Sequence, residues 1–258
     1  MCSLTHLAGR ARRKGTIFAM PVASNLLLAS IPRAAFRQIE SEFELVTLAF
    51  GDVLADRGAV QSHVYFPVTC VVSLLNPTEP SRALEVALAG REGMVGVPLA
   101  LGTSQSPWQA LVQGGGQALR IGRTQFIGAL NACPPLRKAV NRYIHSLMTQ
   151  VAQSASCNRY HLVEGRLAKW LLMSRDRIGA GQLRVTQDVI ASMLGVRRVG
   201  VSEAASGLQR KALIDYSRGH IRILDHTGLE GAACTCYQRL LREPGALPAW
   251  RPPARGGA

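Results

Sequence analysis

The 258-residue sequence is short of acidic side chains, of cysteine and of long apolar runs, and each shortage excludes something. Only 16 Asp and Glu stand against 30 Lys and Arg, a net charge of +14 with a pI near 10.4. That balance favours a polyanionic partner, either nucleic acid or an anionic membrane surface. No window approaches the roughly 18 consecutive apolar residues of a spanning helix, and the run at Leu26, Leu27 and Leu28 is cut by Ser30 and Pro32. The expectation is a protein without a membrane span. Arg10, Arg12, Arg13 and Lys14 before Ile17–Val22 resemble a signal peptide, but the apolar part is short and has no cleavage site, so a cytoplasmic protein is expected. Six cysteines, at 2, 70, 133, 157, 234 and 236, are too thinly spread for a disulfide framework, which suits a reducing compartment. There is no GxGxxG, GxxxxGK[ST] or HExxH, and no paired carboxylates or nucleophile–base set, so no enzyme is predicted and no cofactor. His6, His63, His145 and His226 have no catalytic context. With 47% hydrophobic and 18% charged residues, the chain can bury a core.

The charge is unevenly spread. Residues 24–135 carry seven arginines against eight carboxylates, whereas residues 136–258 carry nineteen Lys and Arg against eight carboxylates. The polyanion binder is therefore the C-terminal half, joined to a near-neutral front half, as in a sensor coupled to a nucleic-acid reader. In that front half Leu45–Phe50, His63–Phe66, Val71–Leu75, Leu84–Leu88 and Ala110–Val112 alternate between Gly and Pro punctuation, the pattern of a short-stranded antiparallel sandwich or barrel, with Gly114–Gly116 as a turn. From Pro134–Pro135 the period changes. Val140, Ile144, Leu147 and Val151 recur at spacings of four, three and four, which reads as a helix seam, either on the domain's own core or between two copies. A further helix carries Leu167, Trp170, Leu171 and Met173 and runs to Gly179–Gly181, and the Pro- and Gly-rich tail after Glu243 reads as disordered.

Thr186 to Leu208 carries the most specific pattern. Thr186 caps a short helix, Asp188 sits at its positive end, and Gly195 supplies the left-handed residue that stops it. Ile190 and Leu194 face Val196, Val201, Ala204 and Leu208 of a second helix, and Ala191 leaves room for a steep crossing. Together these define a helix-turn-helix rather than an ordinary helical hairpin, because the second helix begins with Arg197, Arg198, Ser202 and Glu203, the end that enters a major groove. These four are the candidate base-contacting residues. Leu213–Tyr216 and His220–Leu224 flank Ser217-Arg218-Gly219 as a two-stranded wing with a basic tip, so Thr186, Gln187, Ser217, Arg218 and His220 are the candidate phosphate contacts.

This order of parts resembles the Crp/Fnr family of bacterial transcription regulators, over roughly residues 24–230. The resemblance is strongest in Met193–Leu208 with Leu213–Leu224, in Val64–Ser73 and in Gly90–Leu101. It implies an α+β protein: a basic segment 1–23, an antiparallel, jelly-roll-like cyclic-nucleotide-binding-like β-roll at 24–135, a long dimerisation helix at 136–163, a winged helix-turn-helix at 164–230 and an extension with a tail at 231–258. It also implies a homodimer whose seam is Val140, Ile144, Leu147 and Val151, a palindromic double-stranded DNA operator and RNA polymerase as a partner. Residues 1–19 are expected to be a mobile arm, or to precede a true start at Met20.

The chain departs from the family where a nucleotide would bind. The stretches matching the polar anchors read Gly93-Met94-Val95-Gly96 and Ser106-Pro107-Trp108, so no cAMP site is expected; Arg91, Glu92, Met94 and Ser106 are the candidates for another ligand pocket. The N-terminal cysteines of the iron–sulfur branch are missing. Cys157 with His161, and Cys234 with Cys236, form two pairs, neither of which offers four ligands, so no metal is assigned. Where members read DNA with Arg, Glu and Arg, this chain has Arg198, Val199 and Glu203. Arg198 suits guanine and Glu203 suits cytosine N4. The rival reading is a nonspecific nucleic-acid or membrane-surface binder using the basic C-terminal half, which leaves the helix-turn-helix spacing without a reason.

Overall fold

A computed structural model describes residues 24–79, 82–178 and 183–243. The expectations for residues 1–23, for Met20 and for the tail after Glu243 lie outside the described residues. Two short helices, α1 (Leu26–Ala29) and α2 (Arg33–Phe36), open the described chain and are followed by β1 (Glu44–Leu48), β2 (Val53–Ala55), β3 (His63–Pro67), β4 (Val71–Glu79) and β5 (Arg82–Ala89). Helix α3 (Val97–Ala100) precedes β6 (Gln109–Gly114) and β7 (Gly116–Gly122), with Gly115 at the turn between them. All pairings are antiparallel, in two sheets of order β1-β7-β3 and β2-β6-β4-β5. Period-two alternation puts Val64 and Phe66 of β3 and Leu119 and Ile121 of β7 against Val72 and Leu74 of β4, which fill the space between the sheets.

The other face of β4 and β5 is buried as well. Val71 and Leu88 belong to a second core, shared with the C-terminal helices. Glu85 joins that face because the register runs from Leu74↔Ala87 to Leu75↔Glu85 and skips Val86. This bulge turns the carboxylate away from the roll's interior, where strict alternation would have placed it.

Helix α4 (Arg123–Ala132) leads into α5 (Pro134–Tyr160), then α6 (Val163–Ile178), β8 (Leu183–Arg184), α7 (Gln187–Leu194), α8 (Arg198–Arg210), β9 (Ile214–Ser217), β10 (His220–Ile223), α9 (His226–Ala232) and α10 (Cys236–Leu241). The wing has three strands, β8-β10-β9, not two; β8 is only two residues long and gives no periodic signal. Residues 231–243 are packed rather than loose: Tyr237 is buried, and its hydroxyl donates to Asp176 of α6 at 2.9 Å.

The assignment of Val140 and Leu147 to a dimer seam is corrected, while Ile144 and Val151 are half-buried. Val140 and Leu147 are buried in the roll's own core, with Ile144 and Val151 packed against it. Periodicity identified the apolar face of α5, and the domain that precedes α5 covers it.

Candidate nucleic-acid interface

The helix-turn-helix is set by local chemistry. The Thr186 side chain accepts from Val189 N–H at 3.3 Å, capping α7, and Asp188 lies in the first turn. At the other end Gly195 is left-handed (φ 62°), Val196 N–H donates to Ala191 O and Gly195 N–H donates to Ser192 O, the paired bonds of a Schellman stop. Chain direction reverses here, so that α8 begins at Arg198. Ile190, Ala191 and Leu194 of α7 and Val201, Ala204 and Leu208 of α8 are all buried in one core with α6, as the sequence pattern requires.

That packing fixes which side of α8 is left outside. Arg197, Arg198 and Glu203 are exposed, Ser202 is half-buried, and Val199 stands 60% exposed among them. The structure therefore brings the four candidate base contacts together on the N-terminal end of α8. It adds one relationship that sequence reading missed: Arg198 Nε lies 3.6 Å from Asp188 Oδ1, with both side chains largely exposed. An exposed pair is worth little, so it holds the guanidinium near the reading face without consuming it.

Ser217 and Arg218 are exposed, Gln187 is half-buried, and His220 is half-buried with its Nδ1 shielded from solvent. Ser217 pairs with His220 across a two-residue turn whose residues both have positive φ, Arg218 at 49° and Gly219 at 79°. This is the hairpin turn that matches strand twist. A non-glycine residue is uncommon there, and the turn leaves the Arg218 side chain exposed at the tip. Thr186 and Arg218 also line a cleft of about 600 Å³ that faces Phe50 and Gly115 of the roll.

The winged domain is fastened to the roll by polar contacts as well as by the shared core. Trp170 Nε1 donates to Glu85 Oε1 at 3.0 Å, Arg177 pairs with Glu92 at 2.8 Å with both side chains buried, and Ser192 Oγ donates to Ala83 O at 2.9 Å.

The candidate ligand pocket is corrected by the same contacts. Glu92 is engaged by Arg177, Met94 is wholly buried in the roll core, and the Ser106 hydroxyl donates to Trp108 O at 2.6 Å. Glu92 borders a small cavity of about 40 Å³ shared with Tyr143, Gln150 and Tyr237. Reading Cys157 with His161 and Cys234 with Cys236 as unconnected pairs is corrected too, since the four ligand atoms lie within 4.8 Å of one another.

Comparison with known proteins agrees with this geometry. Residues 165–232 match the family described as the Crp-like helix-turn-helix domain. Among solved structures, FixK2 from Bradyrhizobium japonicum is similar with a TM-score of 0.63 at 15% identity, over 74% of this chain and 98% of its own. A regulator of the Crp/Fnr family from Eubacterium rectale gives 0.62 at 17%, over 84% and 99%. The c-di-GMP-responsive global regulator CLP from Xanthomonas campestris gives 0.62 at 14%, over 75% and 100%. No curated protein matches the sequence. Residues 165–232 are thus a Crp-like helix-turn-helix domain, the DNA-binding domain of transcription regulators, carried on the fold that the Crp/Fnr regulators share.

Proposed function

We propose that the chain acts in the cytoplasm as a homodimeric, sequence-specific DNA-binding regulator on a palindromic operator. The observation that carries this reading is the convergence of Arg197, Arg198, Ser202 and Glu203 on the open N-terminal end of α8, beside a capped α7. Two copies follow from information content. One reading helix contacts few bases, and two placed about 34 Å apart address two half-sites.

The dimer face in this reading is not the buried stripe of α5 but the opposite one. Asn141, His145, Met148, Ala152, Ala155 and Arg159 recur at spacings of four and three, and all are exposed, Met148 at 68%. The two alanines permit close helix approach. Partners are double-stranded DNA, a second copy and RNA polymerase, the last on the family resemblance alone.

The signal in this reading is not cAMP. Gly93 touches Tyr143 so closely that a Cβ would stand 2.0 Å from its ring, and Met94 is core, so the turn that would hold a ribose is packed shut. No helix among the described residues is long and apolar enough to cross a membrane.

Selection of bound duplexes from a random pool by the full chain tests the reading. A two-fold symmetric winner with half-sites one helical turn apart is expected. Retention without sequence preference supports the nonspecific basic anchor instead.

A further inference from the structure

Four residues of metal-binding type, distant in sequence, meet where the roll's long helix hands over to the winged domain. Cys157 lies in the last turn of α5, His161 directly follows that helix, Cys234 follows α9, and Cys236 opens α10. Cys157 Sγ and Cys234 Sγ are 3.5 Å apart, Cys236 Sγ and His161 Nδ1 are 3.3 Å apart, and all four ligand atoms lie within 4.8 Å of one another. From this geometry we infer a mononuclear zinc site with three thiolate ligands and one imidazole ligand.

Distances discriminate between the chemistries open to such a cluster. Zinc–sulfur bonds of about 2.3 Å at tetrahedral angles separate sulfurs by about 3.8 Å, and sulfur from imidazole nitrogen by about 3.5 Å. The Cys157–Cys234 and Cys236–His161 separations, 3.5 and 3.3 Å, lie within a few tenths of an ångström of those values, and none of the others exceeds 4.8 Å. An iron–sulfur cluster distributes its thiolates over different iron atoms and requires a wider spread. All four side chains are buried or half-buried, as a structural site requires.

The surroundings suit a bound cation with three thiolates. Zinc with three thiolates and a neutral imidazole carries a net charge of −1, and two buried cations, Lys169 and Arg166 of α6, interact electrostatically with the sulfurs. Gln153 Nε2 donates to Cys236 Sγ at 3.0 Å, a second-layer bond of the kind that orients ligands. Cys234 N–H donates to Gly165 O at 3.1 Å, which fixes the approach of the Cys234 loop to α6.

The site has a consequence for the reading head. Arg166 also donates to Asn158 Oδ1 at 2.7 Å and to the carbonyl of Leu194, the last residue of α7. The guanidinium thus ties the cluster to the residue before Gly195, where the chain turns into α8. Zinc here clamps the end of α5 and the α5–α6 connection to the start of α10, and through Arg166 it bears on the position of that turn.

The test is titration of the full-length reduced chain, without DNA, using cobalt(II) as a spectroscopic substitute and then zinc. One cobalt per chain is expected, with the intense ligand-field bands of tetrahedral coordination and a sulfur-to-metal charge-transfer band, all bleached by one equivalent of zinc. Cys234→Ser and Cys236→Ser should each weaken the charge-transfer band of bound cobalt and lower affinity beyond the roughly 10–100-fold expected for Gln153→Ala. Cys133→Ser, remote from the cluster, should bind like the parent chain, and circular dichroism checks that each variant is folded. A weak octahedral spectrum, binding that survives in the Cys234→Ser/Cys236→Ser double variant, or reduced folded protein that takes up no metal overturns the assignment.

Discussion

Trp170 of α6 donates its indole N–H to the carboxyl of half-buried Glu85 on β5, joining the winged domain to the roll at 3.0 Å. The bulge at Val86 makes the contact available, and burial gives it a pH dependence. Burial pushes the Glu85 carboxyl from its ordinary 4.5 up to about 7, against the opposing influence of Ser73, Lys169, Trp170 and Arg177. Ser73 Oγ lies 2.7 Å from both Glu85 Oε2 and Gln113 Oε1. With Glu85 protonated, its hydroxyl donates to Ser73, which donates to Gln113. With Glu85 ionised, the single serine proton cannot serve both oxygens, and the Gln113 amide must turn over.

The sign of the effect follows. Between about pH 4.5 and pH 7 the unfolded chain ionises at Glu85 while the folded chain resists, so stability falls as pH rises through that window and levels off above it. The upper bound is roughly 3 kcal/mol. Urea unfolding at pH 5, 6, 7 and 8 should show this loss, and Glu85→Gln should remove it and be more stable than the parent at pH 8. An unchanged pH profile in the variant would place the dependence elsewhere.

The two faces of α5 should respond oppositely. Leu147→Ala removes a side chain buried in the roll and should cost about 2–5 kcal/mol. Met148→Glu, on the exposed face, should leave the melting temperature nearly unchanged but convert dimers to monomers. Sedimentation velocity decides. If Met148→Glu is dimeric at the parent's concentration range, the exposed stripe is not the seam.

Arg198 and Arg218 should separate by what they read. Arg198→Ala should cost about 1–3 kcal/mol on the selected site and relax preference at one base pair. Arg218→Asn keeps a residue that tolerates the left-handed turn, so folding should hold or improve while the salt slope of binding to any duplex flattens by about one unit. Indistinguishable behaviour of the two variants across an operator panel would refute this division.

The buried Arg177–Glu92 pair should be costly to break from either side. Arg177→Met strands a buried carboxylate and should lose about 3–5 kcal/mol, whereas the Arg177→Met/Glu92→Leu double variant should recover much of the loss. Chemical denaturation of the parent, Arg177→Met, Glu92→Leu and the double variant supplies the cycle, and additive losses would show that the pair is not coupled.

The helix-turn-helix was legible because its determinants are local. Thr186, Gly195 and the Ile190–Leu194 stripe act within a few residues, and so the cap, the stop and the exposed end of α8 fall where the pattern puts them. The seam of α5 was misassigned because periodicity shows which face is apolar and not what covers it. The cysteine–histidine cluster was missed for the same kind of reason. Cys157 and Cys234 are 77 residues apart, and only the packing of α10 on α5 and α6 joins them. Two separate pairs of ligand residues, four and two apart in sequence, were the available signal. Glu85 gave none, since a one-residue bulge decides which side of the sheet it faces.

The most direct test of sequence-specific DNA binding is a competition titration of the full chain, at one fixed near-physiological salt concentration, between the selected duplex and a scrambled duplex of equal length and composition. Binding to the selected site tighter by a factor of about 10³ or more is predicted. Equal affinities for the two duplexes, falling in parallel as salt is raised, would contradict it.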